Sequence, residues 1–395
     1  LVPRRGLEPP RLSALVPETS ASTNSAIWAF KRGLLRRLHL GLSTSPLFAW
    51  QSGRCPAKSA PDWTEIWTVK GHRTVSMNAS DKLVTVIGGS GFIGRHVVKA
   101  LAKRGYRVRV ACRRPDLAGY VVPGGVVGQV VPVQANVRYP ASVAAACDGA
   151  YAVINLPSVL SNSGQQTMDA INGFGAGVAA RAARNAGAQV FIQLSSLGAS
   201  AESGSAYARS KAEGEKQVKA GFPNAVILRP SIVFGPEDHF FNRFAGMARF
   251  SPALPLIGGD TKFQPVYVGD VAEAVATLVD RGEASGKTYE LGGPEVATFE
   301  QLLRFTLATT FRKRLLVPLP WPLAKLMGAV LGLVPGAPLT MDQVESLKTD
   351  NVVSAAAAAQ GRDLRGLGVT PRSFETVVPT YLYRFRKEGQ FTTAT

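Results

Sequence analysis

At 395 residues and 46% hydrophobic content, the chain has material for one large domain or two ordinary ones around a sizeable core. Its three cysteines (Cys55, Cys112, Cys147) form no C-x-x-C pair and its four histidines lie scattered, which argues against a disulfide framework and a structural zinc site. The net charge of +18 suits an anionic cofactor, an acidic partner or a lipid surface; zinc-finger spacing, a helix-turn-helix signal and basic–aromatic interleaving are all missing, which argues against nucleic acid.

Residues 1–76 differ from the rest. Eleven Lys/Arg against four Asp/Glu fall here, leaving +11 on the remainder. Four of the five tryptophans (Trp28, Trp50, Trp63, Trp67) precede residue 77, whereas the first methionine is Met77. No sustained period of 2 or 3.6 runs through the segment. Residues 30–40, basic and acid-poor, read as the core of a mitochondrial transit peptide; alternatively, translation starts at Met77. Either way the segment is expected to stand outside the mature fold.

From residue 83 onward, apolar strand patterns recur at 83–87, 107–111, 130–133, 152–156, 190–194 and 225–228. Helical patterns fill the gaps at 95–103, 141–146, 169–186 and 206–220. Strands alternating with helices predict an α/β fold, a doubly wound parallel sheet of the Rossmann type. The first strand runs into Gly88-Gly89-Ser90-Gly91-Phe92-Ile93-Gly94 and then a helix. This is the arrangement that holds a dinucleotide pyrophosphate: Gly88 for the tight turn, Gly91 for close approach to the phosphates, Gly94 for helix–strand packing, with the helix N-terminus facing the anion. Glycine-rich turns also join strands to helices without a ligand, so the motif draws its weight from its neighbours.

The second strand ends in Cys112-Arg113-Arg114-Pro115, where an NAD-preferring protein places an acid. Arg113 and Arg114 favour the 2′-phosphate of NADP(H), with NAD(H) as the lesser fit; the bland alternative is a solvated pair on a βα loop. Asn136 sits where an adenine contact is expected, with Val137 beside it as a further cofactor-binding residue. The fifth strand ends in Ser195-Ser196, and Tyr207 and Lys211 stand at i and i+4 on the following helix. A lysine ammonium near a phenol favours its ionised form, making Tyr207 a usable acid or base, and a serine hydroxyl opposite can polarise a carbonyl. Alone, Tyr-x-x-x-Lys more often means a solvated helix face.

These motifs, with Leu228-Arg229-Pro230-Ser231-Ile232-Val233-Phe234-Gly235-Pro236 and Gln264-Pro265-Val266-Tyr267-Val268-Gly269-Asp270, resemble the extended short-chain dehydrogenase/reductase superfamily from about residue 82 to 293. The resemblance implies a Rossmann domain over 77–235 with returning segments near 264–280, and a smaller C-terminal α/β lobe from 236–263 and 281–395. It also implies cofactor contacts from Leu156, Pro157, Pro230 and Ile232, and from Tyr207 and Lys211 at the nicotinamide ribose. More narrowly, Ile154-Asn155-Leu156, Leu194-Ser195-Ser196-Leu197-Gly198-Ala199, residues 263–276 and the tail 378–386 resemble the NADPH-binding accessory subunits of respiratory complex I and their bacterial relatives. That family is an atypical branch that holds NADPH tightly and is thought to stabilise the assembly. The resemblance implies complex I subunits as partners. It places the chain at the cytoplasmic face of a bacterial inner membrane or in the cytoplasm, or else on the matrix side of the mitochondrial inner membrane. Because Ser196, Tyr207 and Lys211 are all present, two alternatives stand beside it: a free NADP-dependent reductase, epimerase or hydroxysteroid-type dehydrogenase, and an NADP(H) redox sensor.

One further segment, 315–335, is strongly apolar but interrupted by Pro318, Pro320, Pro322 and Lys325. Its uninterrupted part is shorter than the roughly 20 residues a spanning helix needs. It reads either as an interfacial segment, helped by Arg312, Lys313 and Arg314, or as a buried helix of the second lobe.

Overall fold

The computed structural model describes residues 78–331 and 340–389. The expectations for residues 1–76 and for the end of the apolar segment, 332–335, lie outside the described residues.

The predicted strands form where β-branched runs occur: β1 (Leu83–Ile87), β2 (Arg107–Cys112), β3 (Val130–Gln134), β4 (Ala152–Asn155), β5 (Val190–Leu194) and β6 (Val226–Pro230). Helices α1 (Phe92–Lys103), α2 (Pro140–Cys147), α3 (Gly175–Asn185) and α4 (Ala206–Gly221) lie between them. Beyond these come β7 (Val233–Phe234), α5 (Phe241–Phe250), β8 (Ala253–Leu256), β9 (Lys262–Phe263), β10 (Val266–Tyr267), α6 (Val268–Asp280) and β11 (Thr288–Leu291). The chain continues with β12 (Ala297–Thr298), α7 (Phe299–Thr309), β13 (Leu315–Pro318), α8 (Trp321–Leu331) and α9 (Met341–Ser346).

Seven strands make one parallel sheet in the order β11-β6-β5-β4-β1-β2-β3. Successive side chains alternate across it. Val84 and Val86 join a core with α1 and α6, whereas Ile87 joins a second core with α2, α3 and α4. Both faces are therefore covered, as a parallel sheet requires. The strand order reverses between β1 and β4, which opens a crevice at their carboxyl ends.

Two expectations need correction. The resemblance places residues 281–395 in the second lobe, but Thr288–Leu291 returns to the main sheet as its edge strand, its Leu291 fully buried. The chain around 364–369 follows, with Leu364, Leu367 and Val369 entering the core on the α1–α6 face. The helix expected over 169–186 opens with a π-helical stretch, Asp169–Phe174, before α3. There Asn172 is pinned on both sides, accepting from Val159 N at 3.0 Å and donating to Val159 O at 2.9 Å and Ser210 Oγ at 3.0 Å. This wider turn brings α4 very close: a Cβ on Gly214 would stand 2.1 Å from the Asn172 carbonyl oxygen.

The second lobe is built on aromatic packing. Phe240, Phe241, Phe244 and Phe299 meet edge to face, and Phe374 stacks on Phe241 at 6.3 Å. The apolar segment divides into β13, paired with β8, and α8. Ala324 of α8 is fully buried while Leu323 and Leu326 are exposed, so the helix is neither wholly interior nor wholly superficial. Among the described residues no helix is long and apolar enough to cross a membrane.

Candidate functional site

The glycine turn sits at the carboxyl end of β1, with α1 starting immediately behind it. Gly88 takes φ +77°, a left-handed conformation that favours glycine, and Pro157 stands against it from the loop after β4, 3.2 Å from where a Cβ would lie. Gly94 is pressed against the turn: a Cβ there would fall 2.4 Å from the Gly88 carbonyl oxygen. Gly89 is buried, Ser90 half-buried and Gly91 exposed. Gly91 is the N-cap of α1 and offers no side chain to the first-turn N–H groups. The amides around Phe92, Ile93 and Gly94 are thus left for an external acceptor. Tyr120 donates its hydroxyl to the Ser90 carbonyl, and Arg95 lies over the Tyr120 ring at 4.8 Å. Arg95 is itself paired with Glu237 at 3.4 Å, so it is the free helix-terminal amides of the turn that fit a dinucleotide pyrophosphate.

At the end of β2, Arg113 and Arg114 are exposed. Arg113 donates to Gln166 Oε1, and Arg114 grips Asp116 through both Nε and Nη2. Asp116 therefore offsets the charge of Arg114, and Arg113 is the cation of the pair without such a carboxylate. After β3, Asn136 closes an Asx turn, its Oδ1 accepting from Arg138 N at 3.1 Å. Val137 is 5% exposed, and its side chain packs on Gly175 of α3. Leu156 is buried below the crevice mouth, and at the end of β6 Pro230 is buried and Ile232 packs into the second lobe.

The two serines separate. Ser195 Oγ donates to Glu215 Oε1 at 2.6 Å, and Arg229 closes on the same carboxylate at 2.9 and 2.7 Å. Ser195 is thus held inside a buried ion-pair network, and of the two serines only Ser196 keeps its hydroxyl unengaged. Ser196 Oγ is buried without a hydrogen-bond partner, an orphan donor at the crevice. It lies near the Tyr207 phenol, as does Ser158: burial pushes that phenol up and the two hydroxyls pull it back, and this corrects the expected lowering by Lys211, whose ammonium has no part in the shift. Lys211 is 4% exposed and donates to the Leu194 carbonyl at 2.9 Å. Burial brings its ammonium down to about 8, against the pull of Glu215 in the other direction. Sequence reasoning missed Ser158, Glu215 and Tyr120. Only Glu215 left a signal, standing four residues beyond Lys211 on the same helix face.

Comparison with known proteins follows the same lines. Residues 84–292 match the NAD dependent epimerase/dehydratase family. The chain is 37% identical over 326 residues to the Arabidopsis thaliana protein named NADH dehydrogenase (ubiquinone) 1 alpha subcomplex subunit 9, mitochondrial, covering 79% of this chain and 80% of that one. It is 36% identical over 190 residues to a ceramide reductase of Caulobacter vibrioides, covering 48% of this chain and 58% of that one. In fold it resembles the Citrobacter triphenylmethane reductase complexed with NADP(H), with a TM-score of 0.60 at 19% identity, over 75% of this chain and 99% of that one. With its seven-stranded Rossmann sheet, its glycine turn and these relatives, the chain belongs to the NAD dependent epimerase/dehydratase family.

Proposed function

We propose that this protein is an NADP(H)-holding accessory subunit of a respiratory NADH:quinone oxidoreductase, docked peripherally at the inner-membrane face. One arrangement carries the cofactor assignment: the open first turn of α1 stands beside a β2 that ends in Arg113 and Arg114 rather than an acid. In this reading Gly88–Gly94 take the pyrophosphate, Arg113 takes the 2′-phosphate with Arg114 beside it, and Tyr207 and Lys211 hold the nicotinamide ribose. When bound, the nicotinamide supplies a hydride donor or acceptor. The chain's own residues bind and orient it, and cofactor present at a thousand times its dissociation constant adds roughly 4 kcal/mol to the fold. The partner assignment is supported by the plant relative's name and by coverage of four-fifths of its length. The exposed Leu323 and Leu326, near the run Arg312-Lys313-Arg314, support a peripheral contact.

A second reading is favoured by the intact Ser196, Tyr207 and Lys211 and by the ceramide reductase relative. In it, the chain reduces a carbonyl. Ser196 Oγ would hydrogen-bond the carbonyl oxygen, Tyr207 would deliver the proton, and Lys211 would hold the nicotinamide ribose beside them.

The test is to purify the protein without added nucleotide and identify released cofactor by mass spectrometry. Near-stoichiometric NADP(H) is the expected result. An empty protein that binds NADP(H) weakly, reduces carbonyl compounds and loses that activity in Tyr207→Phe would overturn the first reading in favour of the second.

A further inference from the structure

The stretch 341–353 comes back from the C-terminal part of the chain to the carboxyl edge of the main sheet. There it touches three elements that carry the candidate site. Asn351 serves two of them: its Oδ1 accepts from Ser231 Oγ at 2.7 Å, after β6, and its Nδ2 reaches the Leu197 carbonyl at 3.5 Å, after β5. Asp342 serves the third. Its carboxylate accepts from the backbone N–H of Ala206, from that of Tyr207 at 3.1 Å, and from the Ser205 hydroxyl at 3.0 Å.

Ser205 is the N-cap of α4 and accepts from Ala208 N at 3.3 Å. Ser346 Oγ approaches Ser205 Oγ at 3.0 Å. The first turn of α4 is therefore capped twice, once by its own serine and once by a carboxylate 135 residues away in sequence from Tyr207. A helix's first N–H groups have no partner within the helix, so an added carboxylate satisfies them and interacts with the positive end. The placement matters because one donor is the amide of Tyr207 itself. Lys211, one turn on, is anchored independently by the Leu194 carbonyl. Asp342 thus grips the residue whose side chain faces Ser196 and Ser158, while Lys211 has its own tether.

We infer that Asp342 is the positioning residue for the Tyr207 end of the dinucleotide site. The inference rests on the reading that Tyr207 and Lys211 hold the nicotinamide ribose.

It is tested by calorimetric titration of the full chain, cleared of co-purified nucleotide, with NADPH and with 2′,5′-ADP. The second ligand keeps the adenosine and 2′-phosphate but has no nicotinamide ribose. Wild type should bind NADPH the more tightly. Asp342→Ala should weaken NADPH about tenfold, the scale of a lost helix cap, and leave 2′,5′-ADP within about twofold. Combining it with Tyr207→Phe should add less than the product of the two single effects. An equal loss for both ligands, or no loss for either, overturns the inference and leaves Asp342 a plain structural cap. Equal wild-type affinities for the two ligands would instead remove the underlying ribose assignment. Should Asp342→Ala fail to fold, Ser346→Ala keeps the carboxylate and tests the same direction, with an expected two- to threefold loss for NADPH alone; no selective loss refutes it.

Discussion

Alanine at Gly91 and at Gly94, one at a time, separates two jobs of the glycine turn. At Gly94 the new Cβ would stand 2.4 Å from the Gly88 carbonyl oxygen and 2.6 and 2.7 Å from Cα and C of Gly89. All three are backbone atoms, so α1 must back away from the turn. Overpacking of this kind costs about 1–3 kcal/mol. At about 1.6 °C per kcal/mol for a folded part of roughly 300 residues, Gly94→Ala should melt about 2–5 °C lower than wild type. At Gly91 the Cβ would meet only the Gly88 carbonyl oxygen, at 3.3 Å, and the backbone (φ −76°, ψ −177°) is one that alanine adopts freely. The weaker cap and the stiffer unfolded chain offset each other to within about 1 kcal/mol, so the melting shift should stay under about 2 °C. Yet that Cβ would stand at the mouth of the helix-terminal amides, where the pyrophosphate must approach. NADPH affinity should fall at least about tenfold, or 1.4 kcal/mol. Thermal melting without nucleotide and calorimetric titration with NADPH read the two effects apart. Wild-type affinity in Gly91→Ala would refute this placement of the cofactor, and an unchanged melting temperature in Gly94→Ala would refute the tight helix–turn contact.

Three further outcomes are expected. Arg113→Ala should weaken NADPH about tenfold and leave NADH unchanged, because only the former carries a 2′-phosphate; parallel losses in titration would refute the assignment. Tyr381 donates to Asp238 Oδ2 at 2.5 Å inside the second lobe, so Tyr381→Phe should lower unfolding free energy in urea by about 2 kcal/mol, and a loss under about 0.5 kcal/mol would show the pair is dispensable. Lys211 is brought down to about 8 from 10.5 in the unfolded chain, so below pH 8 the native state carries the whole penalty, which is released as pH rises toward 10.5. Wild type should therefore gain about 2 kcal/mol relative to Lys211→Met between pH 7 and pH 10. Parallel stability curves would mean that the ammonium is not desolvated.

The parallel sheet was legible because its strands are short β-branched runs punctuated by glycine and followed by helical periods, and each of these local signals agrees with the fold. Legibility fell off past residue 235, where the strands are only two to four residues long and the lobe is held by aromatic packing rather than by strand period. Nothing in the local pattern of Thr288–Leu291 says that it returns to the main sheet, because pairing with β6 is a long-range event. The same holds for Asp342 and Asn351. Each acts through hydrogen bonds that span more than 100 residues, and sequence spacing carries no information about such contacts.

The pair Ser195-Ser196 shows what a finer reading of the helix could have supplied. Adjacent residues leaving a strand point to opposite sides, so only one hydroxyl can face the crevice. Which one depends on what the other meets. Glu215 stands one turn beyond Lys211 on α4, and a glutamate on that buried face must find partners. Arg229, in the strand beside β5, is the available cation, and the Glu215–Arg229 pair then takes the hydroxyl of Ser195 as a further donor. Ser196 is turned the other way by default, toward Tyr207. The ion pair therefore sets the orientation of the site serine without touching a ligand. Replacing Glu215 by alanine should leave Arg229 half-buried with only Glu290 to offset its charge, and free Ser195. Nicotinamide-end binding would then be lost together with stability, whereas Asp342→Ala should separate the two.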